Sequence, residues 1–327
     1  MKNKYQNKLE KTISFFTQAN PTVLRKKFKK SESQRIYFFF LCGGDLNTYP
    51  NRNLLKNYLD KQSGCYPIIV ENIFLKYKDQ NLLDLEDLLS YISDVIVIFP
   101  ESFGSVCELG AFANSECLRK KVFVFQDSKF KNESSFIKLG PIQSILDVNS
   151  DSVYWLNNTN ASKRQAMFKD SDTKALLECK IIQNEKNKEE ITWFTKEDNE
   201  SITITDLSYY FLALIDLVSF FYSLPRSIIA DVFLRIMNVK ECKVFGPYEV
   251  RNKNIDFHRL TDFFIETGIQ CNLFLEEGKF IKLKEPIKQI DGELYHVGNV
   301  LFPASFTKSR TFNSIRTDFL AQARKKR

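Results

Sequence analysis

The sequence predicts a two-part α/β protein: a doubly wound parallel sheet followed by a smaller, mainly helical domain. Three observations lead there. Up to about residue 158, short unbroken apolar runs alternate with amphipathic helical stretches. The chain then turns polar, and from residue 201 it resumes as helices and a hairpin. At 327 residues it is also longer than one typical domain, which runs to roughly 100–150 residues.

Taken in order, residues 1–30 carry nine Lys/Arg and one acid and read as a basic helical arm. Ile36 to Leu41 is wholly apolar, as suits a strand buried on both faces of a parallel sheet, and it ends at Gly43-Gly44-Asp45. Asn51 to Gln62 has helical spacing, with Leu54, Leu55, Tyr58 and Leu59 on one face. Tyr66 to Val70 reads as a strand and Leu82 to Ile92 as a helix. Asp94 leads into the strand Val95–Phe99, and Pro100 to Gly104 is a turn. Ser105 to Arg119 follows as a helix, then Val122 to Phe125 as a strand. Lys129 to Leu146 is a looser helical segment broken at Gly140-Pro141, and Val153 to Trp155 closes the series. Such alternation indicates βαβ units around a parallel sheet.

The polar, Lys/Glu/Asn-rich stretch 159–200 reads as a helical connector. Helices are then expected over 206–222, 226–238 and 256–267, the last ending at Gly268. Cys271–Leu275, the turn Glu276 to Lys279, and Phe280–Leu283 form a β-hairpin. Three helices followed by a hairpin is the order of a winged helix, and a small helical cap that packs or oligomerises has the same order. The segments are therefore a basic arm (1–32), the sheet domain (33–158), the connector (159–200), a winged-helix-like domain (201–303) and a basic tail (304–327).

The net charge of +7 is concentrated at the ends. Seven basic residues against one acid lie in 306–327, namely Lys308, Arg310, Arg316, Arg324, Lys325, Lys326 and Arg327. Basic ends on an acidic body suit contact with a polyanion, and equally suit solvated termini. Seven Cys, an odd number without a CxxC, point to reduced thiols in the cytoplasm rather than disulfides or zinc. With only His258 and His296, a His-based metal centre or Ser–His triad is disfavoured, and no metal is expected. The Lys-rich N-terminus lacks the apolar core of a signal peptide. The apolar stretch Leu207–Tyr222, interrupted by Asp216, is too short and too acidic to span a bilayer and reads as a buried helix.

In an open parallel sheet, ligands bind beyond the carboxyl ends of the strands. Two sequence features fall there: Cys42-Gly43-Gly44-Asp45, and Pro100 to Gly110. Gly43, Gly44 and Gly104 would let backbone amides approach a phosphate or ribose. Asp45 would contact a ribose hydroxyl or cap the following helix. If Ser105 opens the helix, Glu108 lies in its first turn, where the dipole favours an ionised carboxylate suited to attack on an anomeric carbon. The same Ser-x-x-Glu spacing also permits a capping box.

Gly104-Ser105-Val106-Cys107-Glu108-Leu109-Gly110 resembles the Gly-Thr-x-x-Glu-Leu-Gly signature of nucleoside deoxyribosyltransferases. That resemblance implies that Glu108 is a nucleophile forming a glycosyl-enzyme, and that Glu86 helps to hold and protonate the departing base. The family's acid six residues before the nucleophile is replaced here by Ser102, with Glu101 beside it, which alters the sugar contacts. Leu-Cys-Gly-Gly-Asp (41–45), Phe-Pro-Glu-Ser (99–102), Glu-Leu-Gly-Ala-Phe (108–112) with Asn114, and Gln-Asp-x-Lys-Phe (126–130) together resemble retron effectors. In those proteins a deoxyribosyltransferase-like domain precedes a winged helix. Membership implies a role in antiphage defence and a partner reverse transcriptase with its branched RNA–DNA product (msDNA). It also implies a higher-order assembly, and NAD+ as substrate with no further cofactor. Asn114 would then face the pocket or a neighbouring subunit, and Ser102 and Ser105 would line the sugar or phosphate site.

Overall fold

The computed structural model describes residues 2–18, 27–28, 36–62, 64–156, 191–196, 198, 200–244, 256–284, 300–301 and 314. The 159–190 part of the expected connector and all seven basic tail residues from Lys308 to Arg327 lie outside the described residues. The chain divides into two compact units, residues 35–188 and residues 1–34 with 189–327.

The chain opens with helix α1 (Lys2–Gln18) and a short strand β1 (Lys27–Phe28), both grouped with the C-terminal unit. The basic stretch read as an arm therefore contains core. Leu9, Ile13 and Phe16 are buried, at the i, i+4, i+7 spacing of one helix face. The Phe16 ring meets Phe220 edge-on at 5.1 Å, and Glu10 pairs with Arg235.

In the 35–188 unit the strands are β2 (Tyr37–Cys42), β3 (Cys65–Ile68), β4 (Val95–Ile98), β5 (Val122–Asp127) and β6 (Val153–Leu156). They form one parallel sheet in the order β3-β2-β4-β5-β6. The order reverses between β2 and β4, which pair in register from Phe39↔Val95 to Cys42↔Ile98. A doubly wound sheet opens its ligand crevice at this switch, beyond the carboxyl ends of the strands. The buried Asp94 carboxylate accepts the Phe38 N–H at 2.9 Å and so ties β2 to the start of β4.

The helices of this unit are α2 (Asn51–Leu59), α3 (Glu71–Phe74), α4 (Leu82–Ile92), α5 (Phe103–Asn114), α6 (Glu116–Arg119) and α7 (Gln143–Val148). Alternate strand residues explain the two-sided layering. Phe39, Leu41, Val95, Val97 and Phe99 share a core with Leu55 and Leu59 of α2, and Phe99 stacks on Phe125 at 5.0 Å. Phe40 points the other way and meets Phe112 of α5 at 6.1 Å. The Gly140-Pro141 step does not break its helix: residues Lys138–Ile142 form a π turn that runs directly into α7. Widening the turn accommodates a proline ring that would otherwise crowd the preceding turn.

The C-terminal unit continues with β7 (Ile191–Thr192), β8 (Phe194–Lys196) and β9 (Ser201–Ile204). The described end of the expected helical connector is thus strand, with Trp193 fully buried. Its β-branched and aromatic residues favour that state. Next come α8 (Leu207–Phe221), β10 (Leu224–Pro225), α9 (Ile229–Met237), β11 (Glu241–Val244), α10 (Phe257–Gln270), β12 (Phe274–Glu277) and β13 (Phe280–Leu283). Strands β10, β13 and β12 form one antiparallel sheet, and β11, β9 and β8 form a mixed one in which β11 runs parallel and β8 antiparallel to β9. Helix α8 is buried almost all round, as its predominantly apolar sequence requires, and the Asp216 carboxylate inside it accepts the Val300 and Leu301 N–H groups.

Gly268 does not end α10 but lies inside it, fully buried. A Cβ there would stand 2.2 Å from the Phe274 ring, so glycine is what lets the hairpin close on the helix. Of the residues from Leu260 to Gly268, all but Asp262 are buried. Among the described residues, no helix is long and apolar enough to cross a membrane.

Candidate active site

Helix α5 starts two residues earlier than its sequence suggests, because Ser102 rather than Ser105 is the N-cap. The Ser102 hydroxyl accepts the Ser105 N–H at 3.2 Å, and the Ser105 hydroxyl accepts the Ser102 N–H at 3.0 Å. Ser105 is buried and consumed by this reciprocal cap. Glu108 accordingly falls in the second turn, away from the terminal amides. The expectation that the helix dipole holds it ionised is overturned, and so is its pairing with Ser105 in a cap.

Burial governs Glu108 instead. It pushes the carboxyl up to about 8, with Glu86 and Glu71 adding to the rise and Arg52 opposing it. Glu86, on α4, is pushed up to about 7, again by burial first, with its hydrogen bond to Glu108 opposing and Asp87 and Glu71 adding. Each carboxyl shifts the other's proton affinity, so the two lie within mutual reach. Ionised carboxylates are acceptors only, so a direct hydrogen bond between them requires a proton on one. Among the described residues, no N–H or O–H group donates to the buried Oε2 of Glu108.

Around this pair lie residues that the sequence motifs do not single out. Arg52, its side chain only 3% exposed, donates to the Gly44 carbonyl at 2.9 Å and forms an ion pair with Glu71. Its Nε–H has no acceptor among the described residues. Asn51 is buried, donates to Glu101 at 3.3 Å, and leaves its own Oδ1 unpartnered. The available signal is one of position: Arg52 shares the i, i+3, i+7 face of Leu55 and Leu59, where an apolar residue is expected. Cys42, at the end of β2, is wholly buried, and burial followed by Glu108 and Glu86 raises its thiol well above the usual range. It is therefore no ready nucleophile.

The other candidates separate. A Cβ on Gly44 would collide with the Tyr49 ring at 2.2 Å, whereas on Gly43 it would only touch Arg52 and Phe99 at 3.4–3.5 Å. Asp45 is exposed and accepts the Asn47 and Thr48 N–H groups of its own turn, whereas the N-cap position of α2 is Pro50, so Asp45 does not cap the following helix. Gly104 is exposed in the first turn of α5. Asn114 is exposed at the far end of α5, six residues or about 9 Å of helix from Glu108. It does not join the carboxyl pair. Of the thiols expected in apolar surroundings, Cys107 and Cys117 are exposed.

A parallel sheet with a half-buried pair of interacting carboxyl groups beside its switch point defines a class of α/β protein with a candidate site for acid–base or nucleophilic work. A profile of the STM3845 retron effector protein family matches residues 48–265, more than half of the chain and parts of both units. The chain belongs to that family. It is 40% identical over 134 residues to the "Retron Ec86 putative ribosyltransferase/DNA-binding protein" of Escherichia coli, covering 39% of this chain and 43% of that one. It is 38% identical over 130 residues to the "Retron Ec73 putative ribosyltransferase/DNA-binding protein" of the same organism, covering 37% and 41%. The aligned region thus spans less than half the length of these relatives.

Proposed function

We propose that this retron effector cleaves an N-glycosidic bond, with NAD+ as the substrate. The supporting observation is the half-buried Glu86–Glu108 pair beside the strand-order switch. In the free chain the higher proton affinity lies on Glu108, so in this reading its proton passes to Glu86 as substrate binds, and Glu108, then the carboxylate, attacks C1′ of the nicotinamide ribose. The C1′–N bond breaks, its electron pair neutralises the pyridinium nitrogen, and nicotinamide departs without needing a proton. Esterified Glu108 no longer carries charge, so Glu86 releases its proton and becomes the base for the water that frees ADP-ribose. The designation of the relatives, "putative ribosyltransferase/DNA-binding protein", is consistent with glycosyl transfer, and water as acceptor makes the transfer a hydrolysis.

The C-terminal unit is read as a winged-helix module, on its helix order and its β10-β13-β12 sheet. Reverse transcriptase and msDNA are its proposed partners, in line with the relatives' DNA-binding designation. Because α10 is buried along 260–268, contact with phosphates is assigned to the basic tail, Lys308 to Arg327, rather than to α10 lying in a groove. Removing residues 304–327 then weakens binding and flattens its salt dependence.

The decisive assay is nicotinamide release from NAD+ by the purified chain, with and without the reverse transcriptase and msDNA, and with Glu108→Gln as control. Thymidine and deoxynucleotides run in parallel. Release that vanishes in the variant supports the reading. Cleavage of deoxynucleosides alone would replace NAD+ as substrate, and no cleavage of any of them would sink the glycosidase.

A further inference from the structure

The first two residues of α2 tie together the two strand ends at the switch point. Arg52 gives its Nη2 group to the Gly44 carbonyl at 2.9 Å, just past β2, and to Glu71. Asn51 gives its amide nitrogen to Glu101 at 3.3 Å, just past β4. These strand ends are neighbours, since the Phe99 N–H donates to the Cys42 carbonyl at 2.9 Å. Glu101 is joined in turn to α5, its own N–H donating to the Ser105 hydroxyl at 3.1 Å. Asn51 is only 5% exposed and Arg52 only 2%. Each nevertheless keeps one polar atom in reserve: among the described residues, nothing donates to Asn51 Oδ1 and nothing accepts from Arg52 Nε. The orientation of Asn51 follows from its neighbour. An ionised Glu101 can only accept, which turns the amide nitrogen toward it and leaves the oxygen over.

A buried polar atom without a partner destabilises the free chain, and consecutive residues here supply two of them, one acceptor and one donor. A ligand group that satisfies both carries an N–H and a C=O on the same edge. A phosphate or carboxylate would satisfy the donor alone and would set its charge against the Asn51 oxygen, while Glu71 already pairs with Arg52. We propose that Asn51 and Arg52 form an amide-reading subsite, in which Asn51 Oδ1 accepts a ligand N–H and Arg52 Nε–H donates to the ligand carbonyl. In NAD+ that group is the carboxamide of nicotinamide; in thymidine it is the imide edge of the base. The choice of nicotinamide rests on the glycosidase reading, to which the subsite adds rejection of nicotinate, a carboxylate with no N–H to offer. Both atoms are covered in the free chain, so the ligand edge enters by a local opening of the two turns.

The test is titration calorimetry on the full chain carrying Glu108→Gln, so that bound NAD+ is not consumed. NAD+ is compared with nicotinic acid adenine dinucleotide, which has a carboxylate in place of the carboxamide. ADP-ribose, which lacks the pyridine ring, is the control. NAD+ should bind about tenfold more tightly than the acid, the effect of one hydrogen bond to a buried group. Adding Asn51→Ala should bring the two affinities together. Arg52→Lys, which keeps a charge for Glu71 but has no second nitrogen, should weaken both dinucleotides alike. Neither substitution should move ADP-ribose, whereas a merely structural role would weaken all three ligands and leave the preference for the amide intact. Should Asn51→Ala not fold, Asn51→Ser carries the same comparison, since its hydroxyl can donate to a carboxylate. Equal binding of the two dinucleotides, or a preference that survives both Asn51 substitutions, would overturn the proposal. Thymidine bound in place of NAD+, and lost in Asn51→Ala, would keep the subsite and assign it to a base; binding of neither would end it. An amide preference without nicotinamide release by the wild type sinks the glycosidase and leaves the subsite standing, and release without the preference does the reverse.

Discussion

In the described part of each unit an arginine stands among three acids, Arg52 buried and Arg226 half-buried, and the two clusters differ in how far they are paired. In the C-terminal unit Arg226 donates to Asp262 at 2.6 and 3.0 Å, to Glu266 at 3.0 Å and to Glu276 at 3.4 Å. Burial alone would lower its affinity for a proton, but these partners raise it well beyond the ordinary value. Among the acids around Arg52, only Glu71 pairs with it. Glu86 and Glu108 interact with each other, and among the described residues no donor reaches the buried Glu108 Oε2 and no acceptor the buried Arg52 Nε. A network in which the cation reaches every acid locks helix α10 to the hairpin. A network left partly open holds a movable proton and polar atoms ready for a ligand. Saturation marks the structural cluster and its absence the candidate site.

The largest expected effect separates the clusters by activity. Glu108→Gln should cost a thousandfold or more in nicotinamide release, as removal of a nucleophile does, while the melting temperature stays the same or rises. Loss of both activity and fold would mean that Glu108 is structural after all.

The next effect concerns stability. Arg226→Met strands the fully buried Glu266 and should cost about 3 kcal/mol in urea unfolding. Arg52→Met should cost nearer 1 kcal/mol, because Glu71 can turn to water and the carboxyl pair can take up a proton. Equal losses would erase the contrast between the clusters.

A third effect depends on pH. Folded Glu86 and Glu108 titrate near 7 and near 8, whereas an unfolded glutamate titrates near 4.3. The folded chain therefore binds more protons than the unfolded one across this window, and stability falls as pH rises through it. Melting scans from pH 5 to pH 9 should decline in the wild type and flatten in Glu108→Gln.

The smallest effect is a control on the same helix. A Cβ on Gly110 meets nothing within 4 Å, so Gly110→Ala should stabilise by about 0.5–1 kcal/mol without moving the Glu108 titration.

The sheet unit was legible because its signals are local. Unbroken apolar runs became β2, β4 and β5 almost residue for residue, and the Gly-rich turns and Glu108 motif fell beside the switch point. The three-helix-and-hairpin order was legible for the same reason. The core role of α1 was hidden by lysines on its other faces, although Leu9, Ile13 and Phe16 had the right spacing. Strands β7 and β8 were obscured by the polar stretch before them.

By itself the sequence determined the strand and helix alternation, the family and the candidate glutamate, Glu108, since periodicity and motifs are properties of neighbouring residues. Tertiary structure alone decided the ionisation of that glutamate. It moved the helix start to Ser102, brought Glu86 from α4 against Glu108, and set Arg52 and Glu71 beside them. A carboxyl group's proton affinity depends on the water it loses and the charges it meets, and both are fixed by residues distant in the chain.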